Sequence, residues 1–214
     1  MTHVSLCHNR RVGIRERRRD EQRERIASAA TALFDERGYA AVTVDDVAEA
    51  ADVTRRTVHR YFPQKVDLAF ARAESTMDLV DVLVGGDSPP GPLGEQVVAG
   101  LRRLAEVWSF PRDEATAFAR LVAGSEELQG RDLAKRKAVT SRLQDVLAER
   151  RPDADAMERR VWAAIAVDLF FLAFDAWLRD GDTLAVQMEV VLAAAARSGP
   201  FAVPSAGGER GSAG

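Results

Sequence analysis

The stretch Asp45–Lys65, DDVAEAADVTRRTVHRYFPQK, leaves a folding chain few choices. Val44, Val47, Ala48 and Ala51 recur at helical spacing and predict a short helix over 44–51, with Thr43 as its N-cap and Asp45 and Asp46 in its first turn. Asp52-Val53-Thr54 reads as a tight turn. Thr54 then caps a second helix over 55–62, which Pro63 stops because proline cannot continue the hydrogen-bond ladder. Val58 and Phe62, four residues apart, give this helix an inward face. Arg55, Arg56, Thr57, His59, Arg60 and Tyr61 are left outward. A helix so short and polar does not fold alone. It makes sense when clamped by neighbours and presented to a charged partner. Those side chains suit phosphates and base edges rather than bond chemistry, so the spacing predicts a helix-turn-helix that binds DNA.

Charge agrees once it is divided along the chain. The 214 residues carry a formal charge of −3. Residues 1–65 hold 13 Lys and Arg against 10 Asp and Glu, and residues 66–214 hold 17 against 23. Any phosphate-binding surface therefore belongs to the N-terminal end. With 46% hydrophobic residues the chain can bury a core. Cys7 is the single cysteine, which excludes an intrachain disulfide. Arg10 and Arg11 precede any apolar run, so no secretory leader is expected. Val161–Leu178 is the most apolar segment, but Asp168 and Asp175 interrupt it, and a buried helix fits better than a membrane span. A cytoplasmic protein with no membrane partner is expected.

Residues 1–18 form an aperiodic Arg-rich arm, read as flexible, with the option of ordering along DNA. His3, Cys7 and His8 are three potential metal ligands with no fourth, so no metal site is expected, and no cofactor is implied. A helix follows from about Asp20 to Arg37 with Ile26, Ala29, Ala30, Leu33 and Phe34 on one stripe, ended by Gly38. A fourth helix is expected from Gln64 through Leu83. The Gly/Pro-rich run 85–92 breaks the chain. Further helices are predicted over 95–108, from Phe110-Pro111 onward, and beyond Gly124-Ser125 to Pro152, the last of them kinked or split at Gly130. The helix over 155–179 is apolar on nearly every face and needs cover on all sides, its own core on one and a second subunit on the other. A final helix spans 182–197, and 198–214 reads as a disordered tail. No strand pattern or repeat is present. The expected architecture is all-α with nine or so helices: the arm 1–18, a helix-turn-helix domain 19–65, a helical domain 66–197 and the tail.

The run Ile26–Leu68 resembles the DNA-binding domain of TetR-family transcriptional regulators. Leu33-Phe34, Gly38-Tyr39, Thr43, Thr57, Val58, Tyr61-Phe62, Lys65 and Leu68 carry the resemblance at fixed spacing. Asp52 stands where that family usually has Gly, and His59 where Tyr is common. The resemblance implies a homodimer with a C-terminal ligand-binding domain that dimerises through its last two long helices. It implies a double-stranded palindromic operator, repression, and release by a small-molecule effector. By position, Thr43 and Lys65 would bind phosphate. Arg55, Arg56 and Thr57, with Thr54 and Arg60 beside them, would face the major groove. Arg55 would be the one to grip a guanine, and His59 and Tyr61 would take phosphate or base edges. Candidates to line a ligand pocket are Trp108, Phe110, Phe118, Leu121, Trp162, Phe170, Phe171 and Phe174, all of which core packing would explain as well. Candidates for the dimer interface are Val161, Ile165, Leu169, Leu172, Met188, Val191 and Leu192.

Two other readings compete with this one. Asp45-Asp46-x-x-Glu49 has the spacing of a Mg-diphosphate site in prenyl-transferring helical enzymes. Such a site needs a second acidic cluster across a cavity, and the sequence offers none, so no enzyme is expected. A ligand-independent DNA-binding or protein-recruiting factor would keep the fold without the switch.

Overall fold

The computed structural model describes residues 14–71, 78–85 and 91–197. Every regular element among them is helical: α1 (Ile14–Arg37), α2 (Val44–Ala50), α3 (Arg55–Tyr61), α4 (Lys65–Ala69), α5 (Asp78–Val84), α6 (Leu93–Val107), α7 (Arg112–Ala123), α8 (Glu126–Arg150), α9 (Ala156–Asp180) and α10 (Leu184–Arg197). The all-α expectation holds. The arm before residue 14, the residues 86–90 of the Gly/Pro-rich run and the tail after residue 197 lie outside the described residues, as do His3, Cys7 and His8.

The chain divides into two compact units. The first combines the described residues before 78 with Phe110–Lys137. Its core joins Ile26, Ala30, Leu33 and Phe34 of α1 to Val47 and Ala48 of α2, Val58 of α3, Val66 and Leu68 of α4, and Leu128 of α8. Phe118, Leu121 and Val122 of α7 pack against that cluster. Phe70 meets Phe118 edge-on, with ring centroids 5.1 Å apart, an arrangement the ring quadrupoles favour.

The second unit combines Asp78–Ser109 with the described residues from Ala138 onward. Leu93, Val97, Leu101 and Leu104 bury one stripe of α6, which packs with α5, α9 and α10. Arg102 of α6 clamps Glu189 of α10 with two hydrogen bonds, 2.7 and 3.2 Å long. Among the described residues α9 alone is long and apolar enough to cross a membrane. Here it is a core helix, burying Ala163, Ala166, Val167, Phe170, Ala173 and Trp177, with Asp168 and Asp175 exposed. Asp155 caps its start by accepting the Met157 and Glu158 N–H groups, and Gly181 ends it at φ 82°.

Four helix readings differ from expectation. The helix expected from Gln64 through Leu83 ends at Ala69, where Phe70 caps it and the Phe70 and Ala71 N–H groups turn back to the Val66 and Leu68 carbonyls, and α5 is a separate helix. The first helix begins at Ile14 rather than Asp20, so Arg15, Arg17 and Arg18 are helical instead of lying on an irregular arm. Arginine is a good helix former, and nothing in the leader's sequence stops the helix from growing backward. Gly130 neither kinks nor splits α8, which runs unbroken from Glu126 to Arg150; one glycine costs about 1 kcal/mol against alanine, too little to break a helix packed at Leu128, Leu143 and Leu147. The last helix starts at Leu184, two residues late.

Candidate nucleic-acid interface

The site is built on two capped helices. The Thr43 backbone N–H and hydroxyl both donate to Asp46 Oδ2, at 2.7 and 2.6 Å, and the Asp46 N–H donates back to Thr43 Oγ1 at 3.2 Å. This reciprocal capping box starts α2. The bonds from Thr43 hold the Asp46 carboxyl below its ordinary range. After α2, Asp52 takes φ 51°, a left-handed turn that Asp tolerates better than most residues. Thr54 then caps α3 by accepting the Thr57 N–H at 3.2 Å.

On α3, Val58 is 0% and Phe62, just beyond its end, 1% exposed; these two fix the helix to the core. Arg55, Arg56, His59 and Arg60 are exposed, and Thr57 and Tyr61 half-buried. The outward side chains are partly spoken for. Arg55 Nη1 donates to Asp45 Oδ2 of α2 at 2.9 Å, and its Nε to His59 Nε2 at 3.4 Å. His59 Nδ1 lies 3.2 Å from the Pro63 carbonyl oxygen. The Arg60 guanidinium stacks 5.0 Å from the centre of the Tyr61 ring. Tyr61 donates its hydroxyl to Gln22 of α1 at 3.0 Å, and Arg23 covers Phe62 from the same helix. Arg56 makes no such contact among the described residues.

Lys65 is half-buried. Its ammonium donates to the Tyr39 carbonyl at 2.5 Å and sits 4.1 Å from the centre of the Tyr39 ring. Desolvation lowers its pKa, against the attraction of Glu127 and Asp46. Tyr39 in turn donates to Glu127 of α8 at 3.0 Å; burial first and this bond second push its pKa up. Asp67 pairs with Arg131 of α8 at 3.1 Å. Thr43, Thr54 and Lys65, expected as DNA contacts, are thus also structural fasteners. Sequence reasoning missed Gln22, Asp45 and Glu127 as the partners of Tyr61, Arg55 and Tyr39, because each lies on a different element from the group it holds and no spacing rule links them.

Two of the three carboxylates of the diphosphate reading are already engaged, Asp46 in the cap and Asp45 with Arg55. The ligand-pocket candidates separate. Trp108, Trp162, Phe170, Phe171 and Phe174 belong to the second unit, whereas Phe110, Phe118 and Leu121 belong to the first. Within the second, Trp108 meets Phe170, Phe174 and Trp177 at centroid distances of 5.6, 5.7 and 6.4 Å, so Trp177 joins a set that spacing alone did not give it. Of the interface candidates, Met188 (0% exposed) and Leu192 (8%) lie inside the protomer's own core, out of a partner's reach. Ile165, Leu169 and Val191 are half-buried, and Val161 and Leu172 exposed. Val186 and Val190 form the outward apolar face of α10 instead. Helical spacing alone could not say which side of α10 faces its own core.

Residues 26–71 match the family model for bacterial regulatory proteins, tetR family. Over these residues the chain matches the TetR family. A relative from Rhodococcus jostii, the HTH-type transcriptional repressor KstR, is 42% identical over 71 residues, 33% of this chain and 32% of KstR. The chain thus matches about a third of that repressor's length. Two solved structures share the fold more widely. NalD, the secondary repressor of the MexAB-OprM multidrug efflux pump in Pseudomonas aeruginosa, aligns over 83% of this chain and 96% of its own at a TM-score of 0.57 and 21% identity. Thermus thermophilus FadR, solved with lauroyl-CoA, aligns over 80% of this chain and 91% of its own at 0.51 and 23%. These relatives regulate transcription by name; none is named as an enzyme.

Proposed function

We propose that the chain is a transcriptional repressor that binds a palindromic operator as a homodimer and releases it when a small molecule binds its second unit. One observation carries the DNA-binding part: α3 is anchored by a fully buried Val58 and turns three arginines, Arg55, Arg56 and Arg60, outward. A dimer sets two copies of α3 in successive major grooves, about 34–36 Å apart. The TetR-family domain and the repressor KstR support this reading. The aromatic cluster around Trp108 supports the effector part, as does FadR, which holds lauroyl-CoA in the same fold. An effector works only through its differential affinity for the two forms of the dimer, so it must prefer the one whose α3 spacing no longer fits DNA. Bound fragments selected from genomic DNA, followed by fluorescence anisotropy across a salt series, test the reading. Log affinity is expected to fall linearly with log salt, and Lys65→Ala to weaken all duplexes alike and reduce the slope by about one. An affinity indifferent to salt would overturn it.

A further inference from the structure

We propose, resting on the DNA-binding reading, that Asp45 and His59 are positioning residues that fix which edge of the Arg55 guanidinium meets the bases. A free arginine samples many rotamers and offers its five N–H groups from several edges. Arg55 is held at two points. Asp45 Oδ2 takes an Nη1 proton at 2.9 Å, and His59 Nε2 faces Nε at 3.4 Å. The tautomer of His59 is set by its other neighbour. The Pro63 carbonyl, 3.2 Å from Nδ1, can only accept, so Nδ1 carries the hydrogen and Nε2 presents a lone pair to the Arg55 Nε–H. With Nε spent, the edge formed by Nε and Nη2 is closed to a bidentate acceptor. Nη1 carries two N–H groups and Asp45 takes one, so the end edge keeps the other Nη1 N–H together with Nη2, and these two match the O6 and N7 acceptors of guanine.

The two anchors come from different places. His59 follows Arg55 by one turn on α3, whereas Asp45 reaches over from α2. The aim of Arg55 is therefore tied to the way α2 crosses α3, which the buried Val47, Ala48 and Val58 hold. Asp45 is also the first-turn carboxylate of α2 that its cap does not use, since Asp46 fills that role. Arg55 and Asp45 are well exposed, their side chains 62% and 63% accessible, and an ion pair so placed adds little to stability. Its effect belongs in base preference. A carboxylate beside the groove also repels phosphate, so removing it should help binding to any sequence while harming choice among sequences.

The test is a double-mutant cycle with the full chain on the selected operator and a scrambled duplex at one ionic strength. Arg55→Ala should cut the operator-to-scrambled affinity ratio about 5- to 150-fold, the range for one bidentate base contact. Asp45→Ala should cut it about 3-fold or more, relax preference at the same base pair as Arg55→Ala, and tighten binding to the scrambled duplex. The double variant should discriminate no worse than Arg55→Ala alone. Asp45→Asn, which keeps an acceptor and the cap untouched, should restore part of the ratio. Additive effects of the two substitutions, or relaxation at a different base pair, would overturn the positioning role while leaving the DNA-binding reading intact. A wild-type chain that binds no duplex overturns both. Independently of DNA, the Arg55 Nε–H signal in side-chain NMR should shift in Asp45→Ala and His59→Ala. An unchanged signal in both overturns the inference.

Discussion

At the scale of single residues, Asp52 is where backbone and side chain are least at ease. Its φ of 51° is a conformation in which a Cβ crowds the following carbonyl, at a cost of roughly 1–2 kcal/mol for ordinary residues. Asp lowers that cost by bonding locally, and glycine avoids it. Asp52→Ala is therefore expected to destabilise the first unit by about 1 kcal/mol, with Asp52→Gly neutral or stabilising, in urea unfolding. An alanine variant as stable as the parent would show that the turn is relaxed. Local chemistry of this kind was legible in the sequence. Val58 and Phe62 read as inward because they lie four apart on a polar helix, and Thr43 and Thr54 read as caps because each directly precedes a helical run. The bonds between helices were not legible. Nothing in the spacing of Asp45 and Arg55, of Gln22 and Tyr61, or of Tyr39 and Glu127 marks them as neighbours, since tertiary packing alone brings them together.

Elements were legible wherever one face was apolar and the ends were punctuated. The stripe of α6 and the apolar run of α9 show nearly their true lengths in the sequence. Misreadings came from weighing one residue against a whole helix, as with Gly130. That glycine offers a direct measurement. Among the described residues no atom lies within 4 Å of a Cβ built at Gly130, and its helix is continuous. Gly130→Ala should stabilise the chain by about 1 kcal/mol, seen as a rise of about 2–4 °C in the thermal midpoint. Gly100, on α6, is the opposite case. A Cβ there would collide with the Leu83 carbonyl oxygen of α5, and backbone does not yield as a flexible side chain would. Gly100→Ala should cost about 1–3 kcal/mol or more through overpacking. If both substitutions moved stability the same way, helix propensity rather than contact would govern Gly100, and the close approach of α5 to α6 would not constrain the second unit.

For the molecule as a whole, the open question is how many copies act together, and α9 and α10 bear on it most. These helices pack side by side, yet each keeps apolar residues in water: Val161 and Leu172 on α9, at 38% and 57% exposure, and Val186 and Val190 on α10, at 48% and 55%. Val161 and Leu172 are three turns apart and lie on one face of their helix, with Asp168 and Asp175 beside Leu172. An apolar strip with a charged margin is the usual anatomy of a surface that another subunit covers. A stable pairing needs about 800 Å² from each partner, which two long helices can supply. Leu172→Asp puts a charge where the strip is most exposed and leaves the protomer's own core alone, because Leu172 is not part of it. On the proposed homodimer, the variant should sediment as a monomer at concentrations where the parent pairs, with an unchanged helical signal. Operator affinity should fall steeply with it, since one α3 then contacts one half-site, while binding to scrambled DNA at low salt should change little. A variant that stayed dimeric would move the interface off this face, and with it the spacing of the two recognition helices.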